Sequence, residues 1–201
     1  MGKTPKTSNE RFDMSTNSVV AYMREDGSIV SSYVHYDGYE TGVGMTLLEH
    51  YSTEERAHAV STAGYFSSLT EDMEASLGEA VHTEESDEFE GIIEFGEWLL
   101  ENSHIEFGYL WSKESDTSEG KWLVSTWTTT VEGIGRFAEY SSTWNGFSEL
   151  IPSFVREGRK TIERFRSMDS EYEEYADDLE EVVNRYHSSS MEEIAREVLA
   201  A

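Results

Sequence analysis

The chain has 201 residues, of which 37% are hydrophobic and 12% aromatic, enough for one sizeable core, and it has no cysteine. The missing thiols exclude disulfides, thiolate nucleophiles and cysteine-ligated zinc or iron–sulfur sites, and no apolar run nears the ~20 residues that span a bilayer. Forty-one acidic against 15 basic residues give a net charge of −26, a field that opposes nucleic acid and anionic membranes and favours basic partners.

Charge of this size destabilises a fold by self-repulsion, so either a partner or a high-salt host must account for it. Only 5 of the 15 basic residues are lysine, which suits the salt-adapted alternative. Residues 1–16 are polar, lack the apolar stretch of a signal peptide, and read as a flexible tail. A cytoplasmic location is expected, and no cofactor.

Residues 18–36 predict a β-hairpin around Asp26-Gly27, a pair suited to a type I′ turn. In that register Met23 faces Val30, Ala21 faces Ser32 and Val19 faces Val34, with His35 on the opposite face. "TGVGMTLLEHY" follows as a helix, with Thr41 as its N-cap and Val43, Leu47, Leu48 and Tyr51 at helical spacing. "STEE" at 52–55 restarts a helix through a capping box, Ala57 and Val60 face inward, and Gly64 ends it.

After an acidic loop or weak helix at 70–86, residues 87–102 predict a helix. Its inner stripe would be Phe89, Ile92, Ile93, Gly96, Leu99 and Leu100. "IEFGYLW" and "KWLVSTWTTT" predict a second hairpin, in which Phe107, Tyr109 and Trp111 share a face, as do Leu123 and Trp127. From about 131 the text is helix-compatible, with Pro152 near one start, a stripe of Tyr172, Tyr175, Leu179, Val182 and Tyr186, and a last start capped by Ser190. The fold class is α+β: a small antiparallel sheet from two hairpins, helices packed on one side, and a helical C-terminal third. The boundaries are a tail at 1–16, an α+β domain at 17–150 and a helical segment at 151–201.

Candidate chemistry is sparse. His35 and Asp37 would share a face if the strand continued, but Asp37-Gly38 is itself a turn signal, and an aspartate there bonds its own turn. Gly42-Val43-Gly44 fails the dinucleotide fingerprint, since Leu47 stands where the third glycine belongs. Its glycines suit a close helix–sheet contact, and an anion held by N–H groups at the helix start is the alternative. A ligand site would therefore comprise His35, Asp37, Tyr39, Gly42 and Gly44. His50, His58, His82, His104 and His187 have no metal-ligand spacing. No serine-nucleophile motif occurs, so no catalytic residue is assigned.

Two acidic stripes carry more. Glu90, Glu94, Glu97 and Glu101 recur at helical spacing, as do Glu171, Glu174, Asp178 and Glu181. Such carboxylates lie roughly 5–6 Å apart, close to the spacing of phosphates along a strand of nucleic acid. They are solvated faces or a surface that mimics nucleic acid. Arg156, Arg159, Lys160, Arg164 and Arg166 precede the second stripe, which predicts pairing with 169–181 within the chain or across a homodimer of the C-terminal helices.

Residues 18–128 resemble a family of small uncharacterised bacteriophage proteins with a H-x-D-G-Y-x-x-x-V-G motif. The matching positions are His35, Asp37, Gly38, Tyr39, Val43, Gly44, Leu47, Leu48 and Tyr51, then Tyr109, Leu110, Lys121 and Trp122. The segment at 70–103 departs from the pattern, and the chain from 130 has no counterpart in it. The resemblance implies a phage origin and nothing about chemistry. It turns the expectation toward a non-enzymatic acidic protein that inhibits a host CRISPR or restriction complex by occupying its nucleic-acid-binding surface. The alternative is a small-molecule or anion-binding domain centred on residues 35–44.

Overall fold

The computed structural model describes residues 16–77, 85–113, 119–132, 139–168 and 170–200. Asn17–Met23 (β1) and Ile29–Val34 (β2) form the first hairpin. Its register pairs Val19 with Tyr33, Ala21 with Ser31 and Met23 with Ile29, one residue away from the type I′ expectation. The reason is the turn. The Gly27 N–H donates to the Arg24 carbonyl, and only Gly27, at φ +86°, takes the left-handed conformation. A three-residue loop of this kind closes with a glycine bulge, whereas a type I′ turn needs positive φ at both central residues. The Ser28 N–H and hydroxyl both donate to the Asp26 carboxylate, which fixes the loop from its other side.

The Ile105–Ser112 strand (β5) and Lys121–Glu132 (β6) form the second expected hairpin. The sheet is larger than two hairpins: Tyr65–Phe66 (β3), Asp87–Phe89 (β4) and Glu139–Glu149 (β7) bring it to seven strands. The order is β3-β2-β1-β5-β6-β7, with β4 also pairing β2. The hairpins meet in a parallel β1–β5 pair, with Val20 opposite Tyr109, so the sheet is mixed rather than antiparallel. β7 occupies text read as helix-compatible. Its period-2 pattern is interrupted where the partner shifts between Ser125 and Trp127, and Gly146 sits nearby at φ +90°.

Both sheet faces are covered, which is why β1 reads as the unbroken apolar run Val19-Val20-Ala21. On one face Val20, Val34, Tyr109 and Val124 pack against helices Met45–His50 (α1), Glu54–Ser61 (α2), Leu150–Arg166 (α5) and Glu173–Ala200 (α6). Leu150, Phe154, Ile162, Ala176 and Val183 belong to that same core, so the C-terminal helices share it with the sheet. Helix α6 runs on through Ser190 with no restart there. The capping expectation at 52–55 settles on Thr53, whose hydroxyl accepts the Arg56 N–H. A short helix, Met73–Leu77 (α3), lies in the acidic 70–86 stretch.

The other face is covered by Ile92–Glu101 (α4), so the helices do not all lie on one side. The expected helix over 87–102 gives up its first residues to β4, and of its expected inner stripe Phe89, Gly96 and Leu99 are buried while the rest is replaced by Phe95. Phe95, Gly96 and Leu99 are buried, while Ile92, Ile93 and Leu100 are 37%, 65% and 39% exposed. Aromatic packing sets the phase: Phe95 stacks on Phe147 at 5.8 Å and contacts Phe89 at 5.0 Å. A Cβ at Gly96 would stand 2.3 Å from the Trp144 ring, so glycine lets this helix seat on β7. Burying Phe95 and Leu99 stabilises the contact by about 1.5–3 kcal/mol each.

Candidate functional site

The segment after β2 is built by hydrogen bonds that leave little for a ligand. Asp37 takes φ +59°, a left-handed conformation that aspartate tolerates better than most residues. Its carbonyl accepts the Val43 N–H at 2.8 Å, and its carboxylate accepts the Tyr39 phenol at 3.0 Å. Residues Glu40–Gly44 form a π-helix rather than a helix capped by Thr41. The N–H groups of Gly42 and Gly44 both donate to the Tyr39 carbonyl, so these donors do not form an anion cradle.

Close approach explains the glycines. A Cβ on Gly42 would meet the Asp37 carbonyl oxygen at 2.2 Å, and one on Gly38 the Thr16 carbonyl at 2.6 Å. The Gly38 carbonyl in turn accepts the fully buried Tyr109 hydroxyl at 2.8 Å. His35 points elsewhere: its Nδ1 lies 3.3 Å from the Tyr33 hydroxyl, and its ring meets Tyr36 edge-on at 4.3 Å. The structure therefore does not bring the His35 imidazole and the Asp37 carboxylate together as an acid–base or ligand pair. Of the five residues proposed for a ligand site here, Tyr39 alone lines the cleft described below.

The first acidic stripe is exposed but shorter than its spacing suggests. Glu90 precedes α4, and its N–H is capped by the Glu94 carboxylate at 2.6 Å. Glu94, Glu97 and Glu101 project from α4, and no ion pair reaches them among the described residues. Ile93 and Leu100 are exposed on the same short helix. Like charges three and four residues apart cost a few tenths of a kcal/mol each; the Glu90 N–H offsets part of this at Glu94, and among the described residues no cation does so at Glu97 or Glu101.

On α6, Glu174, Asp178 and Glu181 are exposed, and Glu181 lies 3.9 Å from Arg185. The side chain of Glu171 lies outside the described residues, as does His82. The basic segment pairs within the chain in part. Arg166 binds Asp177 at 3.1 Å and Glu180 at 2.7 Å across the α5–α6 hairpin, while Arg156 and Lys160 both hold Glu157. Burial pushes the Glu157 carboxyl up, but hydrogen bonds from Lys160 and Arg156 outweigh it and hold the group below its ordinary value.

Between the π-helix and the α5–α6 hairpin lies a cleft of about 650 Å³. Met45, Phe107, Leu179 and Val182 give it an apolar floor, and Tyr39, Phe165 and Tyr175 stand around it. Its ionisable residues are Glu40, Glu157, Asp178 and Arg164. The cleft falls within the size range of small-molecule sites, which combine an apolar lining with a few polar groups. Sequence reasoning placed Leu179, Val182 and Tyr175 on one face of a helix but could not see which residues, 130 positions earlier, that face would meet. Among the described residues no three His, Asp or Glu side chains converge to hold a metal ion. No helix among them is long and apolar enough to cross a membrane.

Compared with family models, with curated proteins and with solved structures, the chain matches none.

Proposed function

We propose that this is a phage-encoded acidic interaction protein that inhibits a host nucleic-acid-binding defence complex, of the CRISPR or restriction kind, by covering its basic groove. The observation that supports it best is the α4 face: Glu94, Glu97 and Glu101 are exposed with no ion pair among the described residues. Ile93 and Leu100 beside them are exposed apolar side chains. Unpaired like charges oppose the isolated helix, and a cationic partner would relieve them. The apolar pair supplies contact area that a basic protein surface can bury and that solvent cannot reward. The overall charge of −26 would speed encounter with such a partner and repel free nucleic acid.

The test is affinity capture from host extract at moderate salt, with and without competing duplex DNA and guide RNA. It compares the wild-type chain with a variant in which Glu90, Glu94, Glu97 and Glu101 are all changed to Gln. The expected outcome is a nucleic-acid-binding complex held by the wild type, displaced by nucleic acid, and bound at least about tenfold more weakly by the variant, a change of ~1.4 kcal/mol. A partner held equally by both would remove α4 from the interface.

A further inference from the structure

The cleft between the π-helix and the C-terminal hairpin lies on the sheet face opposite α4, so what it does is separate from the proposed protein contact. Its charges are unequally engaged. Glu40 accepts the Ser153 hydroxyl at 3.0 Å, and Glu157 is held by Arg156 and Lys160. Asp178 is exposed on the cleft wall and has no ion pair among the described residues. The one cation among the described lining residues, Arg164, holds its guanidinium 5.9 Å over the Phe165 ring, and its charge also acts on the Tyr39 phenol. Tyr175, one helical turn before Asp178, leaves 66% of its surface exposed over the opening. Phe165 is engaged within the chain, stacked on Tyr172 at 5.8 Å with Arg164 over its ring, which leaves Tyr175 as the aromatic beside Asp178.

Aromatic faces attract cations through their quadrupole, and an unpaired carboxylate beside them adds a point charge of the same preference. The field of a chain at −26 raises the local concentration of cations and lowers that of anions. The floor of Met45, Phe107 and Leu179 calls for an apolar body. We propose that this cleft binds a small organic cation with a flat apolar body, the charge facing Asp178 beside the Tyr175 ring and the body lying on Met45, Phe107 and Leu179.

The experiment is calorimetric titration of the full chain at physiological salt with two probes that share an indole body, tryptamine and indole-3-propionate. Tryptamine is expected to bind one site per chain, at least about tenfold more tightly than the anion. Asp178→Asn, checked for unchanged circular dichroism, is expected to weaken tryptamine by about tenfold, and Glu97→Gln, on the other sheet face, to leave it unchanged. Equal or tighter binding of indole-3-propionate would overturn the proposal and make Arg164 the anchor. Equal losses in the two variants would overturn it in favour of diffuse attraction to the acidic surface. Absence of saturable heat with tryptamine would overturn it outright.

Discussion

The Tyr109 hydroxyl joins two parts of the chain 71 residues apart, donating to the Gly38 carbonyl from a fully buried position on β5. Burial, together with the nearby Glu40 charge, raises this phenol well above the ordinary tyrosine value, so it stays a donor at any physiological pH. Tyr109→Phe keeps the ring and strands the carbonyl, which should cost about 1–3 kcal/mol. The measurement is a urea midpoint that falls with an unchanged slope; no shift would mean that water replaces the hydroxyl. At this scale the sequence was a good guide to the His35–Gly44 stretch. Asp37-Gly38 announced a turn, and the expected helix–sheet approach fits Gly44, beside Tyr109 of β5, whereas Gly42 answers to the Asp37 carbonyl of its own segment. What it could not announce was the acceptor of Tyr109, because an alternating strand says which face a side chain takes and not what it meets there.

Elements were legible where one periodicity ran without interruption and were lost where it broke. β1 and β2 are marked by the Asp26-Gly27 turn between two apolar runs, β5 and β6 by their spaced aromatics, and α2 by its cap. β7 was missed because the register shift near Gly146 places Trp144 and Phe147 out of step. The phase of α4 was misjudged for a different reason. Beside Gly96 and Leu99, which are buried as expected, the helix could turn in either Phe95 or the Ile92, Ile93 and Leu100 set, and the ring contacts of Phe95 with Phe89 and Phe147 decide between them. The α5–α6 hairpin offers a test at this level. A Cβ on Gly158 would meet Val183 Cγ2 at 2.5 Å, and the valine is a stiff, buried neighbour. Gly158→Ala should therefore cost about 1–3 kcal/mol by overpacking, despite alanine's higher helix propensity. Thermal unfolding decides it: a raised Tm would mean that the two helices separate without penalty.

Across the whole molecule, charge is the largest unrelieved term. The described ion pairs, such as Arg24–Glu88 and Lys121–Glu149, are solvent-exposed and contribute little each. Self-repulsion should therefore dominate the response to salt. Raising ionic strength from ~0.01 M to ~0.15 M shortens the screening length from ~30 to ~8 Å, so Tm should rise. A Tm that stays level or falls would show that the pairs, which salt weakens, outweigh the repulsion, which salt relieves. The sequence stated this imbalance plainly, since counting charges needs no fold; where the acidic side chains stand was legible only as far as the helices were.

The parallel pairing of β1 with β5 also has a consequence for how the chain is made. β1 becomes a central strand only when residues 105–111 are in place beside it. At ~5–20 residues per second, the ribosome leaves that flank of the nascent hairpin open for roughly 5–20 s. During that interval Val19, Val20 and Ala21 are an apolar strand edge waiting for a partner, the form most prone to pairing with another nascent chain. A cell making this protein quickly, from crowded polysomes, needs either a chaperone at the exit tunnel or slow initiation to keep neighbouring chains apart.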